Sequence, residues 1–450
     1  MDSSVFARRG DIPAPTTASC ASRTFHSMRT RARVVLSSMH SLGTYRRYNR
    51  RKRRFTSPAF CISDEQRLRH TWVIGKTGMG KSTFLANSFI QDIRAGNGCA
   101  LFDPHGDLAE QILEYVPPWR RNDVIYFNPA DIEYPIGFNP LANVEPDRRP
   151  LVVSTVVDAL YSLWPDSWGP QLQMFLEATC GALLEMPGAT LPQINLMLTD
   201  AKFRAHVLRH VKDIGVRSFW ERDFALMPER EQRERSLSTL NKVGQFLNDF
   251  RLRNIVGQPK SGFDIDDILA NRRVFIANLA QGELGIGKSR LLGALLIICF
   301  HLAALRRRDR TPFHIAVDEF QSFGASTFAD MLSGIRKYGV SLTLANQYVE
   351  QLAEPLSAAL FGTVGAIVAF SIGARDAQRL SPQLLLKEND LIDQKPHSAI
   401  VRIAGRTIDI DIPRPSSKMY PTGPLRIIAR SRSAFGVGRS SVEREVAEHL

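Results

Sequence analysis

From His70 onward, short apolar runs alternate with longer amphipathic segments along the chain. The apolar runs are bounded by Gly, Pro or Asn, as buried strands are, and most of the intervening segments have helical spacing. This alternation predicts an α/β fold in which helices cover both faces of a mostly parallel sheet. The predicted strands are residues 72–74, 100–102, 124–127, 274–277, 315–317, 342–345 and 366–370.

Residues 149–257 lack this strand pattern. Large apolar and aromatic side chains recur there at helical spacing, which predicts an all-α insertion in the α/β domain. Such a stripe is more typical of a packed core than of a ligand site. Its members are Trp164, Trp168, Phe175, Leu183, Leu184, Phe219, Trp220, Phe224 and Phe246.

The two ends of the chain differ from the rest. Residues 1–61 are rich in Ser, Thr and Arg and are predicted to form a basic, disordered tail. A nucleic-acid-binding arm, a transit peptide and an upstream mis-start of translation are the alternatives. Residues 413–450 are predicted to be a loose C-terminal tail apart from a short terminal helix. Before them, residues 399–403 and 407–412 are predicted to form a hairpin around Gly405.

The net charge of +13 is concentrated near the start of the chain, because residues 1–54 carry 13 of the Lys and Arg residues and the remainder is nearly neutral. The charge therefore does not by itself indicate that the folded body binds nucleic acid. Arg306-Arg307-Arg308 is a candidate basic patch, although basic residues at a helix C-terminus also interact favourably with the helix dipole. The longest apolar stretch, residues 291–305, is too short to cross a bilayer, so a buried core helix and no transmembrane segment are expected.

The strongest chemical signal is a complete GxxxxGK[ST] motif, which a predicted strand enters and a predicted helix leaves. Glycines let backbone N–H groups turn inward around phosphate oxygens, and the helix N-terminus adds a favourable partial charge. Lys81 is expected to reach the β- and γ-phosphates of ATP, and Ser82 is expected to bind Mg²⁺. The motif consists of Gly75, Lys76, Thr77, Gly78, Met79, Gly80, Lys81, Ser82 and Thr83.

A second formal match to the same motif occupies residues 282–289 and also lies between a predicted strand and a predicted helix. A chance match in a chain of this length is expected in about one per cent of cases. However, Glu283 would place a negative charge in a loop that must hold phosphates, and the first motif opens the series of strands. Lys81, rather than Lys288, is therefore predicted to be the working lysine.

Two further predicted strands end in polar residues that suit phosphoryl chemistry. After the first, Asp318 is expected to hold the hydration shell of Mg²⁺, and Glu319 to polarise the attacking water. After the second, the neutral amides of Asn346 and Gln347 are candidates to sense the γ-phosphate. A polar cap at the strand end is the alternative for this pair.

Four strings of this sequence together resemble the HerA/FtsK superfamily, and within it the conjugative coupling proteins of type IV secretion systems (TraD/TraG-like). The resemblance covers roughly residues 62–412. It implies a RecA-like P-loop NTPase domain over residues 62–148 and 258–412, with the all-α insertion at 149–257 between its two parts. The strings are RHTWVIGKTGMGKST, LFDPHGDL, AVDEFQSF and LSGIRKYGVSLTLANQY.

The resemblance implies a homo-hexameric ring that hydrolyses ATP with Mg²⁺ and pumps DNA through its centre. In such rings, an arginine from the neighbouring subunit completes each site by stabilising charge on the transferring phosphoryl group. By its position, Arg336 matches this arginine finger, and Arg375 and Arg379 are second candidates. Asp103 and Asp107 in the FDPHGD string are expected beside the phosphates, either supporting the site or capping their loop.

The chain also departs from the coupling proteins, which typically begin with membrane-spanning helices where this sequence has a basic tail. The five cysteines are scattered without a CxxC pair, which is typical of a reducing compartment and favours neither disulfides nor a zinc site. These features predict a cytoplasmic protein, with recruitment to the inner membrane by a partner as an option. Relaxase or secretion-system proteins are the implied partners.

Three functions follow from these predictions. The leading hypothesis is an ATP-driven DNA translocase that serves conjugative transfer or type IV secretion, on single- or double-stranded DNA. A HerA-like helicase-translocase in DNA end processing is an alternative; the lack of membrane segments favours it and the long helical insertion opposes it. A nucleotide-dependent adaptor that binds cargo is the third reading, but such an adaptor does not need both Lys81 and Glu319.

Overall fold

The strands of the protein are defined by a computed structural model, which describes residues 39–49, 54–161, 163–415, 420 and 422–450. They are β1 (Met39–Thr44), β2 (Arg47–Asn49), β3 (Arg54–Thr56), β4 (Ala59–Ser63), β5 (Thr71–Ile74), β6 (Gly98–Asp103), β7 (Val124–Phe127), β8 (Val274–Asn278), β9 (Phe313–Val317), β10 (Val340–Asn346), β11 (Ala366–Ala369), β12 (Ser398–Ile403) and β13 (Arg406–Asp411).

Within the described residues, eleven of these strands form one sheet in the order β4-β1-β13-β12-β11-β5-β10-β9-β6-β8-β7, and β2 pairs separately with β3. All neighbours from β11 to β7 are parallel, whereas β12, β13, β1 and β4 are joined antiparallel at one side. The predicted α/β fold with a mostly parallel sheet is therefore confirmed. Every predicted strand, including both strands of the hairpin, overlaps an observed one.

Helices cover the faces of the sheet and form the middle part of the chain. The α-helices are α1 (Asp64–Arg67), α2 (Lys81–Ala95), α3 (Asp107–Leu113), α4 (Arg149–Tyr161), α5 (Pro170–Glu185), α6 (Ile194–Thr199), α7 (Ala201–Leu208), α8 (Ile214–Ser218), α9 (Glu229–Leu247), α10 (Phe250–Val256), α11 (Ile265–Ala270), α12 (Gln281–Leu284), α13 (Ile286–Arg306), α14 (Ala325–Gly334), α15 (Glu354–Thr363), α16 (Ala374–Leu384), α17 (Glu388–Ile392), α18 (Gly423–Phe435) and α19 (Arg439–His449).

Helix α2 begins at Lys81, within the phosphate-binding motif, and packs in the core. Its predicted apolar face is buried, with Leu85, Phe89 and Ile93 at most 2% exposed. The helix ends where Gly96 adopts a left-handed conformation with φ 79°, which a glycine takes without a steric penalty. The helix after the motif is thus fixed to the sheet along its length.

Helices α4 to α10 occupy residues 149–256, where no strand is found in the described chain. The aromatic side chains of this insertion pack edge to face, as Phe175 does with Phe219 and Phe224. Their core is continuous with α13 and with one face of the sheet. The aromatic stripe is therefore packing, as its spacing predicts.

Helix α13 contains the longest apolar stretch and extends over 21 residues, more than the sequence pattern indicates. Among the described residues it alone is long and apolar enough to cross a membrane by length and composition. In this structure it lies inside the protein. Phe300, for example, is fully buried against Phe102 and Phe275.

The predicted disordered tail over residues 1–61 is wrong at its C-terminal end. There β1 pairs with β4 and meets β13 at Thr44 and Asp411, extending the central sheet. Leu42 and Ile62 are buried in the core beneath it. The error arises because these short strands are stabilised by pairing with residues far away in the sequence, so their own apolar pattern is weak. Residues 1–38 lie outside the described residues.

The prediction of a loose tail over residues 413–450 is also wrong for α18, whereas the expected short terminal helix is present as α19. Ile427, Val442 and Val446 are at most 3% exposed, and Ser431 Oγ accepts a hydrogen bond from the N–H of Tyr126 at 3.0 Å. The sequence pattern did not predict this apolar face because its few apolar residues are separated by many Ser and Arg residues. The end of the chain is therefore packed against β7 and α10.

Candidate active site

Parallel strands bring the predicted site residues together, because the carboxyl ends of β5, β10, β9 and β6 lie at the same edge of the sheet. The phosphate-binding motif follows β5, and β10 separates it from the strand that ends before Asp318. The cavity at this edge has a volume of about 370 Å³. It is lined by Thr77, Gly78, Gly80, Lys81, Ser82, Thr83, Asp103, His105, Asp107, Leu108, Gln111, Asp318, Glu319, Gln347 and His397.

The backbone of the motif forms a cradle with unused donors. Its first residues are anchored, since the N–H of Gly75 donates to Asn346 O at 3.4 Å and that of Lys76 to Ser371 O at 2.8 Å. Within the described chain, six other N–H groups of the motif form no hydrogen bond to another residue, so they are available to donate to phosphate oxygens. These belong to Thr77, Gly78, Gly80, Lys81, Ser82 and Thr83.

Lys81 is buried at the base of this cradle. Its Nζ donates to the carbonyls of Gly75 and Lys76 at 2.7 and 3.3 Å. Burial lowers the pKa of the amine, while Glu319 and Asp318 oppose that shift. A cation is thus available where phosphate charge would lie.

Asp318 directly follows β9 and lines the cavity. Burial, followed by the charges of Glu319 and Asp103, raises its pKa to about 7. A divalent cation would remove this electrostatic penalty. Because the described residues contain no cluster of three His, Cys, Asp or Glu side chains that could hold a metal, Mg²⁺ here would depend on Asp318, Ser82, water and ligand phosphates. That donor set fits Mg²⁺, which usually keeps several waters.

The carboxylate of Glu319 is oriented by two amides. Its Oε1 accepts from Gln347 Nε2 at 2.9 Å and its Oε2 from Gln321 Nε2 at 2.7 Å. The backbone of Glu319 has φ 46°, an uncommon conformation for a residue with a side chain. An oriented carboxylate beside the phosphate cradle can accept a proton from water. Gln321 lies in the AVDEFQSF string but is not among the predicted site residues.

The two amides at the end of β10 have different positions. Asn346 is fully buried, accepts from Trp72 Nε1 at 2.8 Å and donates to Tyr348 O at 2.9 Å. It therefore fits the alternative of a polar strand-end cap. Gln347 lines the cavity and contacts Glu319, so only this amide lies where a phosphate group could be sensed.

The FDPHGD string supplies one buried and one exposed carboxylate. Asp103 accepts from the N–H groups of His105 at 3.0 Å and Ala109 at 2.9 Å, and thereby caps the loop before α3. Asp107 is exposed on the cavity wall. The loop-capping alternative thus describes Asp103, although its charge also reaches Asp318.

The second motif match, residues 282–289, does not form a phosphate cradle. It is mostly helical, and the N–H groups of Leu284, Gly285 and Ser289 are used in hydrogen bonds to backbone carbonyls. Lys288 forms an ion pair with Asp249. The match fails because its glycines end one helix and begin the next.

The candidate arginine fingers lie outside the cavity of their own chain. Arg336 is exposed and precedes β10, whose seven residues span about 20 Å to Gln347 at the opposite edge. Arg375 is on the surface with Glu350 as partner at 3.3 Å, and Arg379 is exposed on the same helix. None of the three is brought to the cavity in a single chain.

The candidate basic patch at the end of α13 is largely used within the fold. Arg306 pairs with Asp266 at 2.6 Å. Arg307 donates to the carbonyls of Tyr338 and Thr311. These contacts agree with a structural role for the first two arginines of the patch.

Comparison with solved structures shows where this fold is found. No protein-family model matches the sequence, and no curated protein matches it. The bacterial conjugative coupling protein TrwBdeltaN70, unbound, superposes with a TM-score of 0.59 and 16% identity, over 80% of this chain and 88% of that one. The plasmid coupling protein TrwB in complex with ADP and Mg²⁺ gives 0.58 and 17%, over 80% and 89%.

VirB4 of Thermoanaerobacter pseudethanolicus is similar to the same degree. It superposes with a TM-score of 0.57 and 16% identity, over 85% of this chain and 98% of that chain. Identities this low establish the fold alone. The chain therefore has the RecA-like P-loop ATPase fold that is seen in the coupling protein TrwB and in VirB4.

Proposed function

We propose that the chain is an ATPase of the conjugative and type IV secretion kind, which uses ATP and Mg²⁺ to translocate DNA. The observation that carries this proposal is the convergence at one sheet edge of a phosphate cradle, Lys81, Asp318 and an oriented Glu319. The same fold is seen in TrwB, which has been captured with ADPNP and with ADP and Mg²⁺.

In this proposal, each part of the site has a distinct task. The backbone donors and Lys81 bind the phosphate chain, while Ser82 and Asp318 hold Mg²⁺, which neutralises charge on the transferring phosphoryl group. Glu319 orients and deprotonates the attacking water, and Gln347 holds that carboxylate in place. An adaptor that only binds nucleotide would not require such an oriented acid, so hydrolysis is the better reading.

We further propose that the working form is a homo-hexameric ring. Arg336 lies about 20 Å from its own cavity along β10, so it can complete a site only in an adjacent subunit. The DNA would pass through the ring, with relaxase or secretion proteins as partners. The cytoplasm, or the inner membrane through such a partner, is the proposed location.

ATP hydrolysis by the purified full chain tests this function. The rate is measured over a range of protein concentrations, with single-stranded DNA, with double-stranded DNA and without DNA. DNA is expected to raise the rate, and activity per subunit is expected to rise with protein concentration as rings form. Rates that are indifferent to both DNA forms at every concentration would reject the translocase.

Two lysine variants serve as matched controls for the site in this assay. Lys81→Ala is expected to lower the rate by at least about 100-fold, because charge stabilisation at the phosphates is lost. Lys288→Ala, which removes one of the two cationic partners of Asp249 and leaves Arg251, is expected to retain near-normal hydrolysis. Loss of hydrolysis in the Lys288 variant alone would move the site to residues 282–289.

A further inference from the structure

The loop between α17 and β12 lies against the phosphate-binding loop and carries His397. The N–H of His397 donates to Met79 O at 2.8 Å, and its carbonyl accepts from the N–H of Ile412 at 2.7 Å. The end of α17, which precedes this loop, is tied to the chain after β11, since Ser371 Oγ donates to Ile392 O at 2.7 Å. These bonds fix the position of His397 relative to the motif.

The imidazole of His397 packs on the motif immediately before Lys81. A Cβ atom added to Gly80 would lie 3.0 Å from His397 Nδ1, so the ring covers that glycine. Nδ1 is shielded from solvent and has no hydrogen-bond partner. Within the described chain no hydrogen bond to Nε2 is formed either, although the side chain lines the cavity. The ring therefore brings an unused hydrogen-bonding group to the cradle.

An imidazole always carries at least one N–H donor, and a phosphate chain offers charged oxygen acceptors. The charged groups that act on Lys81 are the carboxylates of Glu319 and Asp318, and carboxylates repel phosphate. We propose that His397 donates a hydrogen bond from its imidazole to the phosphate chain of the nucleotide. This contact comes from outside the sequence motifs, and it rests on the proposed function of the site.

The backbone at His397 allows the ring to be deleted cleanly. His397 has φ 60°, in the left-handed region that Gly and Asn adopt more readily than other residues. His397→Gly therefore removes the ring without adding backbone strain, and His397→Asn leaves a shorter amide donor. His206→Gln is a matched control, since His206 is exposed on α7 in the helical insertion.

The test measures binding of ADP and ADPNP with Mg²⁺ to the full chain by titration calorimetry, and thermal unfolding without nucleotide. His397→Gly is expected to bind both nucleotides about 10-fold more weakly than the wild type, the size of one charge-assisted hydrogen bond. His397→Asn should be intermediate, and His206→Gln unchanged. The unfolding midpoint of nucleotide-free His397→Gly should not fall, because the glycine relieves strain.

Three other outcomes would overturn the inference. If His397→Gly binds within about twofold of the wild type while Lys81→Ala has lost binding, His397 is not a ligand and the nucleotide site stands. If both His397 variants unfold earlier and weaken binding equally, the residue only supports the loop. If the wild type does not bind nucleotide, or Lys81→Ala binds it normally, the proposed function fails and this inference fails with it.

Discussion

Glu319 combines an uncommon backbone conformation with two amide partners. A left-handed backbone at a residue with a side chain carries a steric cost, and such residues persist where the surrounding structure holds them. Here the amides of Gln321 and Gln347 orient the carboxylate toward the cavity that contains Lys81. This fixed orientation is what a carboxylate needs if it accepts a proton from water rather than binding the nucleotide.

Glu319→Gln should therefore separate binding from hydrolysis. The amide cannot accept a proton from water, so the hydrolysis rate is expected to fall by at least about 100-fold. ATP affinity should be kept or slightly increased, because a negative charge beside the phosphates is removed. Steady-state hydrolysis and nucleotide titration measure the two effects. Glu354→Gln, at an exposed helix start, is the control, and loss of nucleotide binding in Glu319→Gln would contradict the assigned role.

Asp318 gives the nucleotide-free protein a defined pH dependence. Its pKa is raised from 3.8 to about 7, so between about pH 4 and 7 the folded protein holds a proton that the unfolded chain has released. Stability is therefore lost as the pH rises through this range. Asp318→Asn should raise the free energy of unfolding at pH 8 by on the order of 2–4 kcal/mol. At pH 4 the free energy of unfolding should be nearly the same in the variant and the wild type.

Denaturant unfolding of both proteins without nucleotide, at pH 4 and pH 8, measures this effect. In the same variant, Mg²⁺-dependent nucleotide binding should be weakened most at pH 8, where the wild-type carboxylate is ionised and can bind the metal. A variant that is less stable than the wild type at pH 8 would show that the Asp318 carboxylate is not strained by burial and by its acidic neighbours.

Helix α2 is anchored at its far end by a buried polar network. Arg67 donates to both carboxylate oxygens of Asp92 at 2.5 Å. Burial alone would raise the pKa of Asp92, but Arg67 and the neighbouring histidines hold it well below its ordinary range. His40 of β1 reaches the network through Ser88 at 2.9 Å, and His314 of β9 lies 3.8 Å from Asp92. The network thus connects α2 to β1 and β9.

The two histidines should make the protein sensitive to mild acid. Burial, followed by the charge of Arg67, lowers the pKa of each from 6.5 to about 3. Between these values the unfolded chain takes up protons that the folded chain does not, so stability is present above pH 6.5 and is lost as the pH falls. Because of each histidine, the free energy of unfolding should fall by about 1.4 kcal/mol for each unit by which the pH is lowered in this range.

Chemical unfolding at pH 7.5 and pH 5.5 measures this loss. His40→Gln is expected to reduce the difference between the two conditions by about 1 kcal/mol, whereas His206→Gln, on an exposed helix face, should leave it unchanged. An unaltered pH difference in His40→Gln would mean that the folded protein protonates this histidine readily.

At the scale of the whole molecule, Arg336 and the cavity lie at opposite ends of β10. That separation predicts that sites are shared between subunits, which a mixing experiment can show. Arg336→Ala and Lys81→Ala should each be inactive alone. When mixed, some interfaces pair an intact cavity with an intact arginine, so hydrolysis should recover to a fraction of the wild-type rate. Absence of recovery in stable mixed rings would contradict a shared site.

Features that depend on adjacent residues can be predicted from the amino-acid sequence alone. The motif from Gly75 to Thr83 and the strand before Asp318 can be recognised because adjacent residues specify both the element and its chemistry. Partners that are distant in sequence could not be predicted, such as Asn346 for Trp72, or the position of His397 over Gly80. Strands β1 and β4 were missed for the same reason, since their stability comes from pairing rather than from their own pattern.

The central claim is that hydrolysis at Lys81 moves the protein along DNA, and displacement of a third strand from a DNA triplex tests it directly. Wild-type protein with ATP and Mg²⁺ is expected to release the labelled third strand at a rate that depends on the length of flanking DNA. Lys81→Ala, and wild type with ADPNP, should release none. Rapid ATP hydrolysis without any displacement, on flanking DNA of either strandedness, would show an ATPase that does not translocate.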